Sequence, residues 1–492
     1  MPDEFLHGVA SGDPLADGVV LWTRVTTDAD SLPVRWRMAT DPELGEIVAE
    51  GDAHAEAERD HCVHVDVDGL RPGSVYYYGF TAGGAQSPVA RTRTLPAGDV
   101  QRLRFAMCSC AKFNAGRFNA YARIAERKDL DFLLHLGDYV YEASQTPPAS
   151  QTPSPDIGRP FDPPGECRTL AEYRTRYAQY RLDPDVQALH HALPMIATVD
   201  DHELADGAWA DGSTEHHPGE HGPWAQRRAD AFRARWEWLP ARMPDPADPT
   251  RVFRSVSVGS LADLFLLDVR SRRDEPVLGP EMSAPERSMM GTEQREWLFE
   301  ALGDSTADWR FVATPSILTR TWVDGAGEPL RTALLKLKLM DEDGTGPDED
   351  QWDGYPAERA DLLDVLEPLE DVVVLSSDIH VCVAAEVRSD FETAAVEFTS
   401  PSLTSQNLDD KLGVEPRADV ITDAEQAFVE ALDHVHWTEF SGHGYVVVDV
   451  DEARARAEWW LVDGLGDHDS GERRAAAFEV PSGAPRLRPG LG

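Results

Sequence analysis

Five short stretches carry side chains of the kind that hold metal ions. Asp138 and Tyr141 follow the apolar run Leu133–Leu136 and the breaking Gly137. An Asp oxygen suits many hard cations, and a phenolate three residues later favours ferric iron. Cys108-Ser109-Cys110, Asp200-Asp201-His202-Glu203 and Ser377-Asp378-Ile379-His380 also follow strand-like runs, and Ser441-Gly442-His443 precedes one. A single acidic loop needs no more than solvation to explain it. Four or five carboxylate, imidazole and thiolate groups gathered at one sheet edge are different, because each unpaired ion withdrawn from water costs several kcal/mol. A centre of several cations is the simpler account. Its chemistry would be to acidify a bound water and to clamp an anionic phosphoryl group.

The elements that must position these groups divide into two patterns. Residues 4 to about 95 read as a small all-β unit of the fibronectin type, with runs such as Val19–Thr23, Val34–Met38 and His61–Val67 between Gly, Pro and Asp turns. Leu70-Arg71-Pro72 followed by Tyr76-Tyr77-Tyr78 has the arrangement of a sandwich corner strand. From about 100 onward strands alternate with helices, which implies a sheet with helices on its faces. Strands are predicted at 103–108, 131–136, 194–199, 263–269, 309–314, 371–376, 394–398 and 444–450, with a helix near 116–129. Asp138 then lies at the carboxyl end of a buried parallel strand, where open α/β sheets place their ligands. Pro147 to Pro164 reads as a surface loop. The domain division is 1–97 and 98–492.

Composition narrows the partners. The chain has 492 residues, 46 Lys+Arg and 88 Asp+Glu, for a net charge of −42, so bare nucleic acid and anionic membranes are repelled. Only five lysines occur. Five cysteines without regular spacing make no disulfide framework. No stretch approaches a membrane span, and the first residues have neither the basic nor the apolar region of an export signal. A monomer is expected.

On these motifs the chain resembles the PhoD-like alkaline phosphatases of the metallophosphoesterase superfamily. Phe5–Pro14 and Val20–Arg24 resemble that family's N-terminal opening. Ser109-Cys110, His135–Glu142, Asp200–Glu203, Trp352-Asp353-Gly354-Tyr355 and Ser377–His380 resemble its later motifs in the same order. The resemblance implies an αββα metallophosphoesterase sandwich at 98–492, Fe(3+) and Ca(2+) ions, and hydrolysis of phosphate esters. Carried over, Cys110, Asp138 and Tyr141 would bind iron with Asp378 and His380, while Asp138 would bridge to calcium and Asp201 would be a calcium-side ligand. Asp200 remains an alternative to Asp201, and Cys108 to Cys110, with Cys110 preferred on the Ser-Cys pairing. Where the family often has Asn, Asp206 stands before Gly207, adding a charge that would tighten a hard cation.

Two residues are candidates for work on the substrate. His202 either donates to a substrate oxygen or merely holds Asp138 or Asp201. Arg270 either clamps a phosphate bidentately or pairs with Asp268. A core or surface role is expected for His443, a solvated loop for His216, His217 and His221, and a solvated insertion for the acidic run 341–350, with Asp350 to Tyr355 bracing the site. The expected reaction uses a metal-bound oxygen as nucleophile and no phosphorylated serine. Phosphodiesterase or phospholipase D-type activity is the nearest alternative, a non-catalytic metal-stabilised binding protein a remote one. Members of the family are usually exported, so a secreted or periplasmic location is expected, with a cytoplasmic one the alternative.

Overall fold

A computed structural model describes residues 3–146, 157–341, 343–344, 346–389, 392–468 and 470–490. Most of the expected loop at 147–164 lies outside the described residues. The described residues build two large sheets. One has ten strands, and its centre is Leu103–Cys108, Leu133–His135 and Met195–Ala197, all parallel. The other has seven, centred on the parallel strands Ala262–Leu266, Trp309–Ala313, Val372–Ser376 and Thr393–Thr399. Parallel strands are covered on both faces, which is why runs such as Val372–Leu375 are apolar without alternation.

Side-chain alternation assigns the layers. Phe105, Met107, Leu134 and Ile196 of the first sheet share one core with Leu264, Phe311, Val373 and Phe398 of the second. Phe105 meets Phe311 edge-on across it, with ring centroids 6.0 Å apart. The opposite faces meet helices: Ala106, Cys108 and Leu133 pack against Ile124, Tyr177 and Leu189, while Val312 and Val374 pack against Leu298 and Leu362. Because the inner faces are mutually sealed, the open ends of the parallel strands are where polar groups collect.

The first ninety-odd residues are all-β, as expected. Strands including Ser31–Ala39, Ile47–Glu56 and Val75–Ala82 pack on Val9–Gly12, Val19–Arg24 and Cys62–Val67 through Leu21, Val34, Met38 and Tyr78. The corner motif is formed: the Arg71 N–H donates to Tyr76 Oη at 2.9 Å. The unit is not a separate sheet, however. Val9–Gly12 continues the ten-stranded sheet by pairing with the Met195 strand through Gly12. A Cβ on Gly12 would sit 2.1 Å from the Pro240 carbonyl oxygen, so only glycine permits the seam. Among the described residues no helix is long and apolar enough to cross a membrane.

Candidate metal centre

Four of the expected ligands are held in the left-handed backbone region although none is glycine: Cys110 (φ 59°), Asp138 (φ 55°), Asp378 (φ 73°) and His380 (φ 60°). Each such residue costs about 1 kcal/mol or more and persists only where its surroundings enforce it. All four lie just beyond a strand. The kinks turn the side chains back over the strand ends. Cys108 remains on the strand and points into the helix-side core, whereas Cys110, past the kink, joins Asp138 and His380.

Buried hydrogen bonds bring these loops together. The Ala111 N–H donates to the Asp138 carbonyl at 2.9 Å. Glu203, itself buried, accepts from Asp138 N (2.9 Å), Asp200 N (2.7 Å) and Tyr139 N (2.6 Å), tying two strand ends to one carboxylate. Gly137 allows the approach: at φ 102°, a Cβ there would lie 2.5 Å from Asp200 N. Tyr141 is fixed through its backbone, its N–H donating to Tyr180 Oη at 3.2 Å and its carbonyl accepting from Arg176.

Three overlapping groups result: Cys110, Asp138 and His380; Asp138, Asp201 and His202; Asp200, Asp201 and Asp378. Within each, the available ligand atoms lie within 4.8 Å of one another. Asp138 belongs to two, the position of a bridging ligand. Asp138 Oδ2, Tyr141 Oη, Asp200 Oδ2 and Asp201 Oδ1 are all buried without a hydrogen-bond partner. Buried polar atoms are ordinarily satisfied, and a set of converging oxygens with a thiol and an imidazole fits cations. His380 is prepared for this: its Nδ1–H donates to the Gln406 carbonyl at 3.0 Å, leaving the Nε2 lone pair available.

The electrostatics agree. Burial, reinforced by neighbouring acids, pushes Asp138, Asp200, Asp378 and the Cys110 thiol above their ordinary values. Burial does the same to the Tyr141 phenol, with the Asp138 and Cys110 charges adding to it. Burial alone would lower His202, yet Glu142, Asp138 and Asp201 lift it well above the ordinary imidazole.

Arg270 departs from both readings of the sequence. Its buried guanidinium bonds Asp200 Oδ1 through Nε (2.7 Å), Asp350 Oδ2 through Nη1 (2.8 Å) and Asp378 Oδ2 through Nη2 (2.6 Å). Asp268 instead accepts from the Arg270 backbone N–H at 3.1 Å. The fork thus joins three carboxylates, two of which, Asp200 and Asp378, belong to the candidate ligand groups. Asp206 stands on the cleft wall outside the three groups, with Lys338, His202 and Lys112 holding its carboxyl below the ordinary value against the effect of burial. His202 does not bond the Asp138 or Asp201 carboxylate through its ring; Nδ1 pairs with Glu142 Oε2 at 2.7 Å, while its backbone N–H donates to Asp138 Oδ1.

Sequence reasoning left Glu142, Glu203, Gln351 and Arg273 without roles. Glu142 and Glu203 lie inside recognised motifs, which was the available signal. Asp350, at the end of the acidic run and the start of the bracing motif Asp350 to Tyr355, is gripped by Arg270 and Arg273. His443 meets buried Ser402 Oγ at 3.0 Å and braces the loop carrying Gln406.

The groups open into a cleft of about 1550 Å³ lined by Asp138, Tyr141, Asp201, His202, Asp378 and His380. Sheets that gather carboxylates, a thiol and imidazoles at their parallel strand ends define a metal-dependent hydrolase. Comparison gives the family. Residues 105–459 match the model of the PhoD-like phosphatases, and residues 1–96 that of the PhoD-like phosphatase N-terminal domain. Alkaline phosphatase D of Bacillus subtilis (strain 168) is 36% identical over 441 residues, spanning 84% of this chain and 71% of that one. The solved structure of PhoD superposes with a TM-score of 0.87 at 32% identity, over 99% of this chain and 92% of that one. The chain belongs to the PhoD-like phosphatase family and is a metal-dependent hydrolase of phosphate esters.

Proposed function

We propose that the cleft holds Fe(3+) through Cys110, Asp138, Tyr141, Asp378 and His380, and Ca(2+) through Asp138, Asp201 and Asp200. The observation that carries this is the unpartnered Tyr141 Oη beside the Cys110, Asp138 and His380 group. A phenolate and a thiolate favour ferric iron, whereas carboxylate oxygens favour calcium. When bound, the cations supply Lewis acidity and an acidified water. The chain's own residues do the rest. Glu203 and Arg270 hold the ligand carboxylates in place. Glu142 fixes the His202 ring by taking its Nδ1–H, so that Nε2 is left to donate a proton to the departing oxygen. This fits the four-layer αββα description, with helices outside two sheets that share a core. We keep the domain boundary at 97/98, a reading supported by the strand Leu103–Cys108 that follows it.

Elemental analysis with a visible spectrum tests the metals: iron and calcium with a phenolate-to-iron absorption band are expected, and a colourless active enzyme holding only manganese or zinc would overturn the assignment. Parallel assays on a monoester, a diester and a phospholipid set the substrate class, with the monoester expected to be hydrolysed.

A further inference from the structure

Four of the five lysines in the chain, Lys112, Lys336, Lys338 and Lys411, line the metal cleft. In a protein with 88 acidic residues, whose other cations are nearly all arginines, that concentration needs a reason. The lysines arrive separately. Lys112 follows the strand Leu103–Cys108, Lys338 ends the helix Leu330–Leu337, and Lys411 lies in the short helix Leu408–Leu412. Lys338 adopts φ 56°, a helix-end conformation ordinarily supplied by glycine.

Lys338 and Lys112 partly balance Asp206, but balancing the acids of the site does not account for all of them. The charges of Asp206, Asp350 and Asp348 raise Lys338, and cleft carboxylates act on Lys112 and Lys411 as well, yet among the described residues none of the three lysines forms an ion pair. The acids have closer partners already: Glu142 accepts from His202 and the Asp206 N–H, Asp350 from Arg270 and Arg273, Asp378 from Arg270 and Gln351. The ammonium groups also oppose one another. Lys411 is held down to about 8 by burial first, then by the charges of Lys338 and Lys112. Like charges gathered from three elements and left unpaired are stabilised by an anion between them.

We propose that Lys112, Lys338 and Lys411 form a subsite for a second phosphate group of the substrate, beside the centre that takes the scissile one. The subsite rests on the phosphatase reading of the cleft. It makes the preferred substrate a compound bearing two phosphates, with Lys336, exposed like Lys338, adding to the attraction.

The test uses the metal-loaded enzyme and alkanediol bisphosphates of increasing chain length, each against the matching alkanol monophosphate. One length should exceed its monophosphate in kcat/KM by about tenfold at low salt, and the advantage should shrink in about 0.5 M salt. K338Q and K411Q should bring that ratio close to one, mainly through KM, while K338R retains most of it. Circular dichroism and metal content establish that the variants are folded and loaded. Wild-type enzyme that treats both compounds alike overturns the subsite. So do glutamine variants that lose activity equally on both, since the lysines would then serve the scissile phosphate. An enzyme inert on every phosphate ester overturns the phosphatase reading together with the subsite, whereas activity without the preference overturns the subsite alone.

Discussion

Arg270 Nε meets Asp200 Oδ1 at 2.7 Å, and neither side chain has any exposed surface. The same guanidinium reaches Asp378 on the other sheet, so one planar group joins ligands from both halves of the site. An ammonium cannot reproduce that three-way fork. Arg270→Lys is expected to lower kcat by about 100-fold and to reduce bound metal, as loss of ligand-orienting partners generally does, with KM for a monoester little changed. Steady-state kinetics and elemental analysis check it. A large rise in KM with full metal content would instead make Arg270 a phosphate clamp.

Glu142 and His202 should behave as one unit. The 2.7 Å contact orients the ring, and removing the acid leaves the imidazole free to turn. His202→Gln is expected to cost about 100-fold or more in kcat and Glu142→Gln about tenfold. The double variant should be no worse than His202→Gln, because residues acting together are not additive. Losses that multiply would mean separate roles.

Gly137→Ala should damage stability and metal binding together. Its Cβ would lie 2.5 Å from Asp200 N, against backbone that cannot swing aside, at φ 102°. A destabilisation of about 3 kcal/mol or more is expected from clash and backbone strain combined, measured by urea unfolding. Bound metal should fall as well, because Asp200 and Asp201 must shift. An alanine variant of unchanged midpoint and metal content would show that the two loops are not in fixed contact.

Acid lability should originate partly at the seam between the N-terminal strands and the larger sheet. His7 is buried with its ring edge-on to Trp238, and burial, then the Arg24 and Arg181 charges, holds it down to about 3. His191 is held down to about 4 by burial and Arg181. A folded-state value below the ordinary 6.5 means that the unfolded chain binds more protons. This contribution is therefore complete above about pH 6.5 and is lost as pH falls toward 3. The slope within that window is about 1.4 kcal/mol per pH unit for each group. His7→Phe should flatten the fall in urea midpoint between about pH 6.5 and pH 4 by about one proton's slope. An unchanged slope would place His7 in contact with water.

The ligand loops were legible because short apolar runs ending in Gly-Asp, Asp-Asp-His-Glu or Ser-Asp-x-His mark strand ends, and parallel strands point those ends the same way. What spans the sheets was not. Arg270 finds Asp350 eighty residues away, and the motif from Asp350 to Tyr355 suggested a brace without naming its partner. The seam through Gly12 was hidden because one backbone pairing leaves no side-chain pattern. The gathering of the lysines was visible only as their scarcity, since their elements meet through tertiary packing.

Between the two thiols, period-two alternation puts Cys108 and Cys110 on one side of an ideal strand, so in the sequence only the Ser-Cys pairing favoured Cys110. The strand ends at Cys108, and Cys110 at φ 59° is redirected toward Asp138 and His380. Cys108 stays in the helix-side core, where burial alone raises its thiol. Cys110→Ser should therefore abolish or strongly shift the visible absorption band and lower the iron content, a hydroxyl being a poorer ligand than a thiolate for this ion. Cys108→Ser should leave spectrum and iron intact and cost about 1–3 kcal/mol of stability, the penalty for a polar group in an apolar contact. Absorption spectra, iron analysis and urea midpoints of the two variants decide the matter. A C108S enzyme that loses its iron while C110S keeps it would reverse the assignment, and the backbone kink at Cys110 would then need another purpose.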